Sequence, residues 1–228
     1  MNQKTKYGLS GAAFALFLVL ILLVKTVDVA AVGPVGTEIG LSHLNQAFHE
    51  LTGVNLFWYE LTQVCGILAL LVAGLFALLG LWELIGRKKL LDVDGQLLAL
   101  AVLYILVMAL YVFFEIVIVN YRPILMPDAA APEASFPSSH TMLICTVLGS
   151  GRMVWKDYIK KPALLRGLRI ASGAVIVLTV FGRLICGVHW FTDILGGLLL
   201  SIALLGLFSA VLDRVLGYQA ARRGRARR

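Results

Sequence analysis

Charge is what this chain of 228 residues has little of. Only 14% of its residues are Asp, Glu, Lys or Arg, against about 25% in an ordinary soluble domain. With 60% of residues hydrophobic, the same shortage excludes intrinsic disorder, which needs low hydrophobicity and high charge. Cysteine is also scarce. Cys65, Cys145 and Cys186 are scattered and odd in number, which excludes a disulfide scaffold or a Cys-based zinc cluster. Low-complexity tracts, internal repeats and Pro/Ser/Gly linkers are missing, so residues 1–228 read as one domain. No carboxylate cluster suited to Mg²⁺ is present either, and neither a metal nor a cofactor is expected.

What is there is apolar sequence in long runs, with a mean hydropathy of +0.89. A membrane-spanning helix needs roughly 20 mostly apolar residues, and six stretches qualify: about 8–24, 56–85, 96–119, 140–155, 168–187 and 191–216. The expected fold is an all-α polytopic membrane protein with six transmembrane helices. The first stretch reads as a span and not as a signal peptide, because its apolar run reaches Val24 and Val29-Ala30-Ala31 makes a poor cleavage site. Residues 38–51 place Leu41, Leu44, Phe48 and Leu51 at helical spacing, as in an amphipathic helix lying on the membrane surface. His43 and His49 on it read as solvated interfacial residues.

The net charge of +7 raises the question of a nucleic-acid partner, until the basic residues are located. Seventeen of the twenty Lys and Arg fall at the N-terminus, in the 86–95 and 156–168 connections with the helix ends beside them, and from Arg214 into the tail 217–228. Lys25, Arg122 and Arg183 are the exceptions. The positive-inside rule then places both termini and those two connections in the cytoplasm. The segments around 25–55, 120–139 and 187–191 face outward, as in a multi-pass protein of a bacterial cell membrane. Trp58 and Trp190 fall near the outer boundary, and Trp82 and Trp155 near the inner one. The basic residues set topology and touch membrane lipids; no nucleic-acid partner is implied.

The remaining polar residues gather. An ionisable side chain at membrane depth costs about 2.5–3.5 kcal/mol on insertion scales and usually serves a function. Arg122, His140, Arg183, His189 and Asp193 all fall at the outward ends of helices three to six. Three short sequences hold them: Asn120-Tyr121-Arg122-Pro123, then Phe136-Pro137-Ser138-Ser139-His140, then Arg183 through His189 to Asp193. Taken singly each has a plain explanation. Pro-Ser-Ser-His before a helix is commonly an N-cap, the arginines can snorkel to head groups, and His189-Trp190 can anchor an interface. None of these explains five residues converging on one face.

In order and spacing the three sequences resemble those of the type 2 phosphatidic acid phosphatase superfamily, the membrane lipid phosphatases related to vanadium haloperoxidases. That family's pattern is Lys-x6-Arg-Pro, Pro-Ser-Gly-His and Ser-Arg-x5-His-x3-Asp, and the match runs over roughly residues 56–215, the expected catalytic core. The resemblance implies a lipid phosphate or diphosphate phosphatase acting through a phosphohistidine. The chemistry of the residues agrees. Asp193, four residues after His189, can fix its tautomer and raise its nucleophilicity. Arg122 and Arg183 supply forks for phosphate oxygens. Ser138 and Ser139, with the helix N-terminus behind them, form an anion site. His140 is placed as general acid and then base.

Three positions depart from the pattern. Ser139 stands for Gly and Gly182 for Ser, the lost hydroxyl being replaced by water or by Ser139. Glu115 stands for Lys. Seven residues before Arg122 it still points toward that side of the helix. As a modulator of the site it can pair with Arg122 or Arg183, be protonated by burial, or contact a cationic or hydroxyl group of the substrate, and the pairing is the leading expectation. Glu60, at shallow depth in helix two, is not assigned to the site. Undecaprenyl diphosphate leads the expected substrates, followed by phosphatidylglycerol phosphate and phosphatidate. The alternatives are a non-catalytic lipid-binding scaffold and a lipid phosphotransferase.

Overall fold

Residues 2–126 and 129–226 are described in the computed structural model. Of the expected basic tail, Arg227, Arg228 and the side chains of Arg222, Arg223 and Arg225 lie outside the described residues. Seven α-helices account for most of the chain: α1 (Gln3–Thr26), α2 (Ser42–Thr52), α3 (Leu56–Arg87), α4 (Gly95–Ile116), α5 (Ser139–Tyr158), α6 (Pro162–Ile185) and α7 (Phe191–Ala226). Among the described residues the extended pairing amounts to two isolated bridges, Ala30 with Ile39 and Tyr121 with Ala134.

Five helices, α1, α3, α4, α6 and α7, are long and apolar enough to cross a membrane. Their outward faces carry bare Leu16, Leu22, Leu71, Leu78 and Ile105, a surface suited to hydrocarbon and not to water. The expected sixth stretch does form a helix, but α5 is not among the five. Its sequence is rich in small and polar residues, and Thr141, Cys145, Thr146, Ser150 and Gly151 are all buried. The reason lies in its position: α3, α4, α6 and α7 all pack against it. A helix surrounded by other helices needs close approach and hydrogen-bond partners more than apolar bulk.

Helix boundaries follow local chemistry. The Ser138 side chain accepts from the Thr141 amide and caps α5, and Pro162 opens α6 where its missing N–H has no role. α4 stops at Ile116, earlier than the expected 119, because 120–122 leaves the helix to pair with 133–135. The Arg122 amide donates to Glu133 O at 3.0 Å and the Ser135 amide to Asn120 O at 3.1 Å.

One end of the bundle collects the 27–55, 117–138 and 186–190 segments. Helix α2 begins four residues later than the sequence pattern suggests and lies against the start of α7. Phe48 meets Phe191 with ring centroids 5.0 Å apart, and His49 meets Trp190 at 5.6 Å. His49 is therefore half-covered and not solvated, and burial lowers its pKa. His43 is exposed as expected, with its Nδ1 2.7 Å from Asp28 Oδ1. Asn45, fully buried, accepts from the Thr192 amide at 3.1 Å and so serves as a cap for α7 from another helix.

Gly187 joins α6 to α7 under two constraints at once. Its φ is +70°, and a Cβ there would stand 2.0 Å from the carbonyl oxygen of Gly53. The close approach lets the Asn55 amide reach Cys186 O at 3.0 Å. Gly187→Ala should lower the unfolding midpoint in detergent, since a forced left-handed residue costs about 1–3 kcal/mol before any clash is counted. An unchanged midpoint would show that this junction is not tightly packed.

Candidate active site

The site is assembled around Asp193, which is 0% exposed. Its carboxylate accepts from Asn120 Nδ2 at 2.9 Å on Oδ1, and from the Trp190 amide at 2.8 Å and Ser135 Oγ at 2.5 Å on Oδ2. Its own carbonyl accepts from the Ser138 amide at 2.9 Å. One residue in the first turn of α7 thereby ties together the segment that follows α4, the 133–138 segment and the α6–α7 junction.

His189 sits one turn before Asp193, but the two do not touch at hydrogen-bond distance: Nδ1 and Oδ2 are 3.6 Å apart. Ser135 stands between them, with its Oγ 3.0 Å from His189 Nδ1. Because the Ser135 hydroxyl proton goes to Asp193, Ser135 Oγ must accept, and His189 must carry its proton on Nδ1. The lone pair is then on Nε2, which is buried and has no hydrogen-bond partner. Burial draws the His189 pKa down to about 4 against the opposing influence of Asp193, so the ring is neutral near pH 7.

The two arginines bring further unfilled donors. Arg183 is 0% exposed; its Nη2 donates to Gln63 Oε1 at 2.9 Å and its guanidinium lies 4.9 Å from the Tyr59 ring centroid. Its Nε and Nη1, like Nη1 of Arg122, are buried without a partner. Arg122 is held by an ion pair with Glu133, 3.0 Å from Nε to Oε2. Both guanidinium groups lie within electrostatic reach of His189 and of His140. Buried N–H groups are rarely left unpaired, and unfilled guanidinium donors within electrostatic reach of an unprotonated imidazole nitrogen make a candidate anion site.

His140, in the first turn of α5, makes no hydrogen bond among the described residues. Its ring lies on Gly66 of α3, close enough that a Cβ there would come within 3.1 Å of it. Ser139 lines a narrow pocket together with Glu115, Arg122, Ser135 and His189. Ser138 does not. It is 0% exposed and its Oγ accepts from the Thr141 hydroxyl at 3.0 Å, so it is a cap and not a lining residue, which corrects the expectation of a phosphate contact.

Two further expectations are corrected. Glu115 lines the pocket but is exposed and forms no ion pair. Glu133 is the carboxylate within ion-pair distance of Arg122, and Glu115 acts on that guanidinium only at longer range. Gly182 leaves no hole for water or Ser139 to fill: a Cβ there would meet the Thr62 methyl at 2.6 Å. The missing side chain is what lets α6 close on α3. Glu60 is exposed on α3 and is not among the residues that line the narrow pocket. The sequence motifs gave no role to Ser135, Asn45, Gln63, Tyr59 or Glu133. Asn120 and Ser135 adjoin the motif residues, and that adjacency was the available signal.

The PAP2 superfamily model matches residues 96–215, from α4 into α7. The chain belongs to the PAP2 superfamily. No curated protein matches it. Among solved structures, it is similar to a transmembrane PAP2-type phosphatidylglycerolphosphate phosphatase from Bacillus subtilis, at 22% identity and a TM-score of 0.60, over 90% of this chain and 96% of that one. The matched region contains every motif residue, whereas α1, α2 and α3 lie outside it. Within this PAP2 chain, Gly182→Ser would restore the family residue yet should lower the unfolding midpoint. Adding Thr62→Ala should recover most of the loss. A Gly182→Ser protein as stable as the parent would contradict the packing account.

Proposed function

We propose that this PAP2 protein is a membrane phosphatase that hydrolyses a lipid phosphate or diphosphate through a phosphohistidine on His189. The observation that carries the proposal is the set of unpaired polar atoms on Arg122, Arg183 and His189, three groups within electrostatic reach of one another. In this reading the guanidinium groups hold the phosphoryl oxygens and spread the transition-state charge. The Nε2 lone pair forms the P–N bond as the P–O bond to the lipid breaks, and His140 delivers a proton to the departing oxygen. His140 then takes a proton from water, whose oxygen displaces Nε2 and releases phosphate. The Nδ1 proton stays on the ring throughout. Ser135 is a positioning residue that passes the influence of Asp193 to the positive charge arising on the phosphorylated imidazole. The positive charge in the site comes from side chains, and the reaction is proposed to need no metal.

A lipid substrate is supported by a second cavity of about 400 Å³ between α3, α4 and α5. It shares Tyr111, Ser139 and Met142 with the narrow pocket and continues along Leu70, Val107 and Leu143. A prenyl or acyl chain fits such walls while its phosphate reaches His189. The charge pattern supports placing this end outside the cytoplasm, and α5 is taken as a sixth span enclosed by its neighbours. We place the protein in the cell membrane, as one integral membrane domain. Undecaprenyl diphosphate leads the substrates to be tested, with phosphatidylglycerol phosphate and phosphatidate beside it.

Phosphate release by the purified protein from these three lipids in EDTA tests the proposal. Release should proceed with EDTA present and fall about 10⁴-fold or more in His189→Ala, the scale of losing a nucleophile. No release from any of the three favours a binding protein, and release abolished by EDTA contradicts the metal-free step. Ser135→Ala should lower kcat about 10²-fold with KM little changed, as misplacement of a reacting group does. Ser135→Thr, which restores the hydroxyl, should recover most of it. Full activity in Ser135→Ala would remove Ser135 from the mechanism.

A further inference from the structure

Arg152 and Arg169 belong to the basic set that fixes orientation, but they do not sit in loops. Arg152 precedes the end of α5 at Tyr158 by six residues, and Arg169 follows Pro162 at the start of α6 by seven. At about 1.5 Å per residue each lies roughly 9–11 Å inside its helix end. Both are half-buried, and neither forms a hydrogen bond or an ion pair. Their guanidinium groups keep accessible nitrogens that no protein carboxylate pairs, so they are open to an anion at the membrane surface.

The two arginines line one cavity of about 560 Å³, with Cys145, Gly149, Ile176, Leu198 and Leu205 among its walls and no carboxylate. The volume falls within the range of small-molecule sites. It arises because α6 and α7 barely touch; each packs on α5, which floors the cleft between them. Glycines open it further. A Cβ on Gly173 would meet Arg152 Nη1 at 2.7 Å, and one on Gly149 would meet Leu205 at the same distance. Exposed Ile170, Val177 and Ile202 lie on the two helices that flank the cleft. Arg152 stands thirteen residues along α5 from Ser139, roughly 20 Å, so the cavity is separate from the catalytic pocket.

We propose that this cleft is a second lipid site, which takes the head-group phosphate of an anionic phospholipid between Arg152 and Arg169 and one acyl chain along Leu198 and Leu205. The charge complementarity is to a single phosphodiester at the leaflet opposite the catalytic end. Occupancy bridges α6 to α7 where the protein itself leaves them apart. Because α6 carries Arg183 and α7 carries Asp193, a bound lipid stabilises the two helices that the catalytic pocket depends on, through ordinary linkage. The proposal rests on the membrane reading and not on the catalytic one.

Native mass spectrometry of the full-length protein in detergent, titrated with dioleoyl phosphatidylglycerol or dioleoyl phosphatidylcholine, tests it. The wild type should retain phosphatidylglycerol in preference to phosphatidylcholine, and Arg152→Gln/Arg169→Gln should bind it at least tenfold more weakly. Arg166→Gln, which removes an exposed charge from the same helix, should bind as the wild type does. The single variants Arg152→Gln and Arg169→Gln should each show a partial loss, which keeps the test open if the double variant does not fold. Equal retention of the two lipids by the wild type overturns the proposal. So does unchanged phosphatidylglycerol binding in the single variants, or a loss in Arg166→Gln equal to theirs.

Discussion

The buried Asp193 carboxylate is the constraint on which the site depends. A charge removed from water is costly unless hydrogen-bonded, and here the donors are Asn120, Ser135 and the Trp190 amide. They come from three separate stretches of chain, so satisfying one carboxylate requires all three to arrive together. Those stretches also carry the chemistry. Arg122 follows Asn120 by two residues, His189 precedes Trp190, and His140 begins the helix that Ser138 caps. The positions of His189, His140 and Arg122, the proposed nucleophile, general acid and phosphate clamp, are thus consequences of solvating Asp193 within the protein.

The packing around this knot uses absence of bulk. Gly196 leaves room for the Phe136 ring, and Gly197 for the Ser138 carbonyl and the Thr141 side chain. Phe136 in turn stacks on Phe17 of α1 at 5.7 Å and meets Phe114 of α4 edge-on at 6.3 Å. The segment before His140 is therefore fixed from the apolar side by an aromatic cluster and from the polar side by Asp193. Bilayer hydrocarbon is as apolar as a leucine side chain, so burial alone gives little specificity in such a bundle. Close packing and interhelical hydrogen bonds specify it instead. Helix α5 shows the result most clearly, with a buried, partly polar sequence surrounded by four more apolar neighbours.

Much of this was legible in the sequence. Long apolar runs gave most helix ends to within a few residues, although α6 starts six residues earlier and α7 runs ten residues further than expected. The clustering of ionisable residues at one end pointed to Arg122, His140, Arg183, His189 and Asp193. What escaped was whatever depends on a partner distant in sequence. Ser135 and Asn120 are ordinary polar residues until folding sets them against Asp193. Asn45 lies 147 residues from the helix it caps. Glu133 displaces Glu115 as the partner of Arg122 because a two-stranded pairing, invisible to helical periodicity, brings it alongside. Gly182 read as a lost hydroxyl, whereas the structure makes it a contact between α6 and α3. Periodicity and motif spacing report what lies within one element; these residues act between elements.

The proposed mechanism requires the neutral Nε2 of His189 to become covalently bonded to phosphorus. Rapid quench of the turning-over protein into alkali, followed by peptide mass spectrometry, measures this directly, because phosphohistidine survives alkali and decomposes in acid. Phosphate is expected on the peptide containing His189, localised to that residue and lost on acidification. Phosphate found on a serine, an aspartate or His140 instead, or turnover with no phosphopeptide at any quench time, would contradict it.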